Sequence, residues 1–155
     1  MLEDLNISAE EVQFAAIANM KKQAKIQTMR EILSEHFLET EVSPQKESSA
    51  EMYVVSAGDD LITGKLSNGA AAILSRSIRK QIVKRMGGNA YLLPSSIEEF
   101  IVCPEIKGEE KELLKMVYSI NHSDIIPDSL FLSNSIYYLE ENGDIRVITS
   151  EKMKP

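Results

Sequence analysis

The chain has 155 residues, 43% apolar and 26% charged, which suits one globular domain and excludes a disordered or fibrous chain. Its 17 Lys and Arg against 24 Asp and Glu leave a net charge of −7, which disfavours non-specific binding to nucleic acid or to an anionic membrane. The single cysteine, Cys103, excludes an internal disulfide, and no apolar run approaches the ~20 residues that a membrane helix needs. The acidic start Met1-Leu2-Glu3-Asp4 lacks the basic and apolar regions of a secretion signal, so the expected setting is the cytoplasm.

Ser8 and Glu11 form a capping box that starts a helix at Ala9. Its apolar residues, Val12, Phe14, Ala15, Ala16, Ile17, Ala18 and Met20, wrap most of the way round and predict a well-covered helix. Lys21 and Lys22 fall where the helix dipole favours positive charge, and Lys25-Ile26-Gln27-Thr28 reads as a connector. Met29, Ile32, Leu33, His36 and Phe37 repeat as one stripe and predict a short second helix. Residues 39–50 are rich in Glu and Ser and read as an exposed connection between a helical part, 1–38, and an α+β core, 51–150, of one domain spanning 1–155.

From Met52 the texture changes to strands. Met52-Tyr53-Val54-Val55-Ser56 is β-rich, turn glycines follow at Gly58 and Gly64, and Ala70 to Leu74 reads as a small-residue strand after Asn68-Gly69. Ile78, Ile82 and Met86 give the next helix its stripe, and Gly87-Gly88 stops it. Tyr91 to Leu93 and Phe100 to Cys103 are strands. Leu113, Met116, Val117 and Ile120 mark a helix with an acidic start at Glu109, Glu110 and Glu112. Ile136 to Leu139 and Ile145 to Ile148 form a hairpin through Asn142-Gly143. Two helices followed by the order ββα-ββα-ββ predict an α+β fold: a mainly antiparallel sheet with helices on one face, the two N-terminal helices among them.

Asn68-Gly69-Ala70-Ala71 and Leu93-Pro94-Ser95-Ser96-Ile97, with Tyr53-Val54 before them and Leu130 to Tyr138 after, resemble a family of Firmicutes proteins built on a domain of unknown function. The resemblance covers most of the chain, and Ser8 to Arg30 looks like the helix that precedes the family's paired strands. Members are often longer at the N-terminus, so a short member or a C-terminal piece is expected. In that family a hydrophobic residue and His-Glu usually follow Pro-Ser-Ser; here Ile97 and Glu99 match, and Glu98 stands at the histidine position. The resemblance implies no activity.

Two candidate sites remain. A hydrolase would use Ser95 or Ser96 as nucleophile with Glu98 or Glu99 and Asn68 nearby, and would need a base and an oxyanion hole. Only His36 and His122 could supply an imidazole, and no Gly-x-Ser-x-Gly elbow is present. The competing reading makes Pro94 a strand end and the serines turn formers. The second candidate is the basic helix over 75–86, whose Arg76, Arg79, Lys80 and Lys84 share one side and suit an acidic partner or a nucleic-acid backbone. With no interleaved aromatics, a solvated face is the plainer reading, and nucleic acid is not an expected partner. Self-association through the acidic N-terminus or Glu109-Glu110 of a neighbour is a further option. His36, Cys103 and His122 are isolated and the glycines match neither Walker nor dinucleotide spacing, so no metal and no cofactor are expected. The preferred reading is a non-enzymatic binding or regulatory module.

Overall fold

The computed structural model describes residues 6–36, 51–57, 68–94, 96–123 and 127–149, with side chains in the first stretch through residue 32. In chain order the elements are α1 (Ala9–Gln23), β1 (Ala24–Thr28), α2 (Met29–His36), β2 (Tyr53–Ala57), a 3₁₀ helix (Gly69–Leu74), α3 (Arg76–Met86), β3 (Ala90–Leu93), β4 (Glu99–Pro104), α4 (Glu110–Asn121), a 3₁₀ turn (Asp128–Leu130), β5 (Ile136–Leu139) and β6 (Ile145–Ile148). The six strands make one sheet in the order β1-β2-β4-β3-β5-β6, antiparallel at every pairing. The α+β class expected from the sequence holds. The connection 39–50 and the glycines at 58 and 64 lie outside the described residues.

β3 is buried at all four positions, which requires cover on both sides of the sheet. On one face Ala90 and Leu92 join Val55, Phe100, Val102 and Leu139 beneath Ala72 and the α3 residues Ile78 and Ile82. On the other, Tyr91 and Leu93 join Cys103, Ile136 and Ile148 beneath Leu114 and Val117 of α4. Helices therefore lie on both faces, not on one. Alternation along β3 carries apolar groups to each side, and each buried large aliphatic residue stabilises by roughly 1.5–3 kcal/mol.

Three further elements depart from expectation. Residues 25–28 are not a connector but most of β1, paired with β2 from Lys25↔Ser56 to Thr28↔Tyr53. Ile26 is the one strongly apolar side chain of the strand, so periodicity is silent and pairing decides. Its outer backbone is engaged: the Arg85 guanidinium donates to the Ile26 carbonyl at 2.9 Å, and the Thr28 amide donates to the Glu31 carboxylate at 2.7 Å. Thr28 also accepts from the Glu31 amide, a second capping box that starts α2. Residues 70–74 form a 3₁₀ helix instead of a strand. Gly69 sits so close to β2 that a Cβ there would collide with the Glu98 carbonyl and the Ala57 amide, and would lie 2.8 Å from the Ser56 carbonyl carbon. A compact coil of small residues fits that space where a strand does not. Finally, α1 begins at the expected Ser8–Glu11 box but is not well covered: none of its residues is buried, and Phe14 is 78% exposed.

α3 ends at Gly87 in the left-handed conformation, φ +74°, as the double glycine predicts. The β5–β6 hairpin forms at Asn142-Gly143. Gly143 alone is left-handed there (φ +86°), and its amide donates to the Glu140 carbonyl at 2.8 Å. This is a type I turn with a glycine bulge rather than the two-residue primed turn that Asn-Gly favours in isolation.

Candidate functional site

The loop between β3 and β4 carries the serines. Ser96 is buried, and its hydroxyl oxygen accepts from the Glu98 amide at 3.0 Å, a side chain closing its own turn. The same loop is held from two sides. Ala70 donates its amide to the Ile97 carbonyl at 3.2 Å, while the Ile97 amide donates to the Leu130 carbonyl at 2.9 Å. Ser96 also pairs with Phe131 as an isolated antiparallel bridge. Asn68 is exposed, and its carbonyl accepts from the Ala71 amide at 3.0 Å. Ser95 lies outside the described residues.

The acidic candidates separate. Glu98 contributes its backbone to the turn and its carbonyl to the contact with Gly69, whereas Glu99 begins β4 opposite Ser56. Partial burial, then the neighbouring Glu98 carboxylate, push the Glu99 carboxyl above its ordinary range, although the side chain reaches solvent. Of the imidazoles, His36 is in α2 with its side chain outside the described residues. His122 caps α4: its Nδ1 is 2.8 Å from the Tyr118 carbonyl, and its ring stacks on Tyr118 at 3.9 Å. No described hydrogen bond joins Ser96 to a histidine. Cys103 is buried, which pushes its thiol up to about 11, and its Sγ lies 3.8 Å from Met52 Sδ. Among the described residues no group of three or more His, Cys, Asp or Glu is placed to hold a metal ion.

The basic side of α3 divides into two pairs. Arg79 is partly buried and bridges two backbone oxygens, Ile73 at 2.6 Å and Gly143 at 2.7 Å. Burial, then the Arg76 charge beside it, lower its pKa. Arg76 reaches the same hairpin, 3.2 Å from the Asp144 carboxylate and 3.4 Å from the Asn142 carbonyl. Both arginines thus clamp the β5–β6 turn. Lys80 packs its stem over Gly143, where a Cβ would come within 3.1 Å of Lys80 Cγ. Lys80 and Lys84 are exposed, and among the described residues no ion pair engages either. Arg76, Ser77, Lys80, Gln81 and Lys84 line an open depression of about 500 Å³ along the helix.

One polar cluster escapes sequence reasoning. Tyr138 donates to Glu105 at 2.7 Å, Tyr91 donates to Glu110 at 3.1 Å, and the two rings meet edge to face at 5.4 Å. The Arg146 guanidinium lies 4.3 Å from the centre of the Tyr138 ring, and Asn89 donates to Glu105 at 3.2 Å. Burial, then the Glu110 hydrogen bond, push the Tyr91 phenol up to about 12; hydrogen bonds from Tyr138 and Asn89 hold the Glu105 carboxyl below its ordinary range. These groups belong to β3, β5, β6, the α4 start and the loops before β3 and after β4, so no local motif records them. The cluster ties the first turn of α4 to the sheet.

No helix among the described residues is long and apolar enough to cross a membrane. No curated protein and no solved structure matches the chain. Residues 1–141 match the model of a family of unknown function, DUF5688, and that span includes both stretches that meet at the β3–β4 loop. The chain belongs to this family of unknown function, DUF5688.

Proposed function

We propose that the protein is a non-enzymatic binding module of the bacterial cytoplasm that takes an acidic protein partner on the exposed side of α3. The carrying observation is the pair Lys80 and Lys84, one helical turn apart in a shallow depression flanked by Ser77 and Gln81, with no described carboxylate upon them. Carboxylates one turn apart on a partner helix repeat at the same interval, which favours a helical acidic segment. The net charge of −7 opposes anions at long range, so recognition is local and screened by salt. Arg76 and Arg79 serve as the frame of this surface, because the hairpin engages them.

The hydrolase reading draws no support from Ser96, whose oxygen accepts a backbone hydrogen bond within its turn. Anisotropy of a labelled glutamate-rich peptide tests the proposal. Wild type should bind it, and Lys80→Glu with Lys84→Glu should weaken binding at least about tenfold, roughly 1.4 kcal/mol. Equal affinity for the two proteins, or tighter binding of a single-stranded oligonucleotide than of the peptide, refutes it.

A further inference from the structure

The uncovered surface of α1 is patterned. Glu11, Phe14, the half-buried Ala18 and Lys21 follow one another at intervals of three, four and three, so they form a single stripe along the helix. Glu10 and Lys22 border this stripe. Ile7 is 41% exposed and Phe14 78%, whereas Met20 and Ala24 pack against the core from another side of the same segment. An exposed phenylalanine on a helix with no buried residue is a surface that association would cover.

The charges indicate what covers it. The first turn is acidic, at Glu10 and Glu11, and the last is basic, at Lys21 and Lys22. A two-fold axis placed midway between Phe14 and Ala18 sets each Phe14 against Ala18 of a second copy. The same operation sets Glu10 against Lys22 of that copy and Glu11 against Lys21. Glu11 is already held by the Ser8 amide at 2.8 Å, so Glu10–Lys22 carries more of the pairing. Ala18 offers the small surface that the Phe14 ring requires, so charge and shape agree on one register. An isologous interface needs this self-complementarity and a heterologous partner does not.

We infer that α1 is a homodimerisation helix, pairing antiparallel with α1 of a second copy in the Phe14–Ala18 register. The surface is separate from α3, so it stands independently of the binding proposal. Sedimentation equilibrium of the full chain over a concentration series tests it. Wild type should approach twice the 17.3 kDa chain mass. Phe14→Glu, Glu10→Lys and Lys22→Glu should each shift the curve towards monomer, while Glu10→Lys combined with Lys22→Glu should restore the dimer. Far-UV circular dichroism should remain that of wild type throughout, since these side chains are exposed. A wild type that is monomeric at every concentration overturns the inference, as does a dimer that the single reversals leave intact or the double reversal fails to restore.

Discussion

The amide of Ala70 donates to the carbonyl of Ile97 at 3.2 Å, tying the 3₁₀ helix to the β3–β4 loop across the intervening α3 and β3. The stretches Asn68-Gly69-Ala70-Ala71 and Pro94-Ser95-Ser96-Ile97, conspicuous separately in the sequence, thus meet in one place. Gly69 makes that approach feasible, because a side chain there would strike the backbones of Glu98 and Ala57. The partners are backbone atoms, which cannot rotate aside.

Gly69→Ala should therefore destabilise the fold by about 3 kcal/mol, lowering the melting temperature by roughly 6–12 °C. Gly88, whose Cβ position has only the Glu141 carboxylate nearby at 3.9 Å, is the control, and Gly88→Ala should stay within about 0.5 kcal/mol of wild type. Thermal unfolding followed by circular dichroism measures both.

Ser96→Ala removes the acceptor for the Glu98 amide and should cost about 1 kcal/mol in a urea titration. If the hydroxyls at this turn are structural, wild-type protein treated with a serine-directed phosphonate should retain its intact mass. An adduct on Ser95 or Ser96 would restore the hydrolase reading.

Arg79→Met keeps the aliphatic stem but withdraws donors from two carbonyls, Ile73 and Gly143. Partial solvent access reduces the cost to about 1–2 kcal/mol. The loss should localise, with faster amide exchange at Gly143 than in wild type. A rise spread evenly over the sheet would contradict a clamp on this turn.

The Tyr91 phenol, pushed up to about 12 from an ordinary 10, is favoured neutral in the fold. Its contribution is fully present below pH 10 and is lost as pH rises through about 12. Glu105, held below its ordinary 4.5, contributes above that value and loses its contribution as pH falls through the lower folded value. Denaturant midpoints of Tyr91→Phe and wild type should therefore converge above pH 12 and differ most in the neutral range. A difference constant across pH contradicts the ionisation linkage.

Much of the fold was legible where local chemistry decides it. Ser8 with Glu11, Gly87 and Asn142-Gly143 each marked their caps and turn correctly, because every partner lies within a few residues. β1 was not legible, since Lys25 and Gln27 flank a lone Ile26 and only pairing with β2 makes a strand of them. The 3₁₀ helix is not legible locally, because Gly69 is constrained by Ala57 and Glu98, distant in the chain. The basic side of α3 was recognisable as a charge pattern. That Arg79 belongs to a turn 64 residues away, while Lys80 stays exposed, depends on tertiary contact.

Amide hydrogen exchange at Ala70 and Ile97, resolved by NMR, tests most directly whether the two conspicuous stretches form one structural contact. Both amides donate to carbonyls of distant segments, so their protection should match that of Leu92 in the central strand. Exchange at either amide as fast as in exposed loops, with Leu92 protected, would contradict it and leave the β3–β4 loop free for another role.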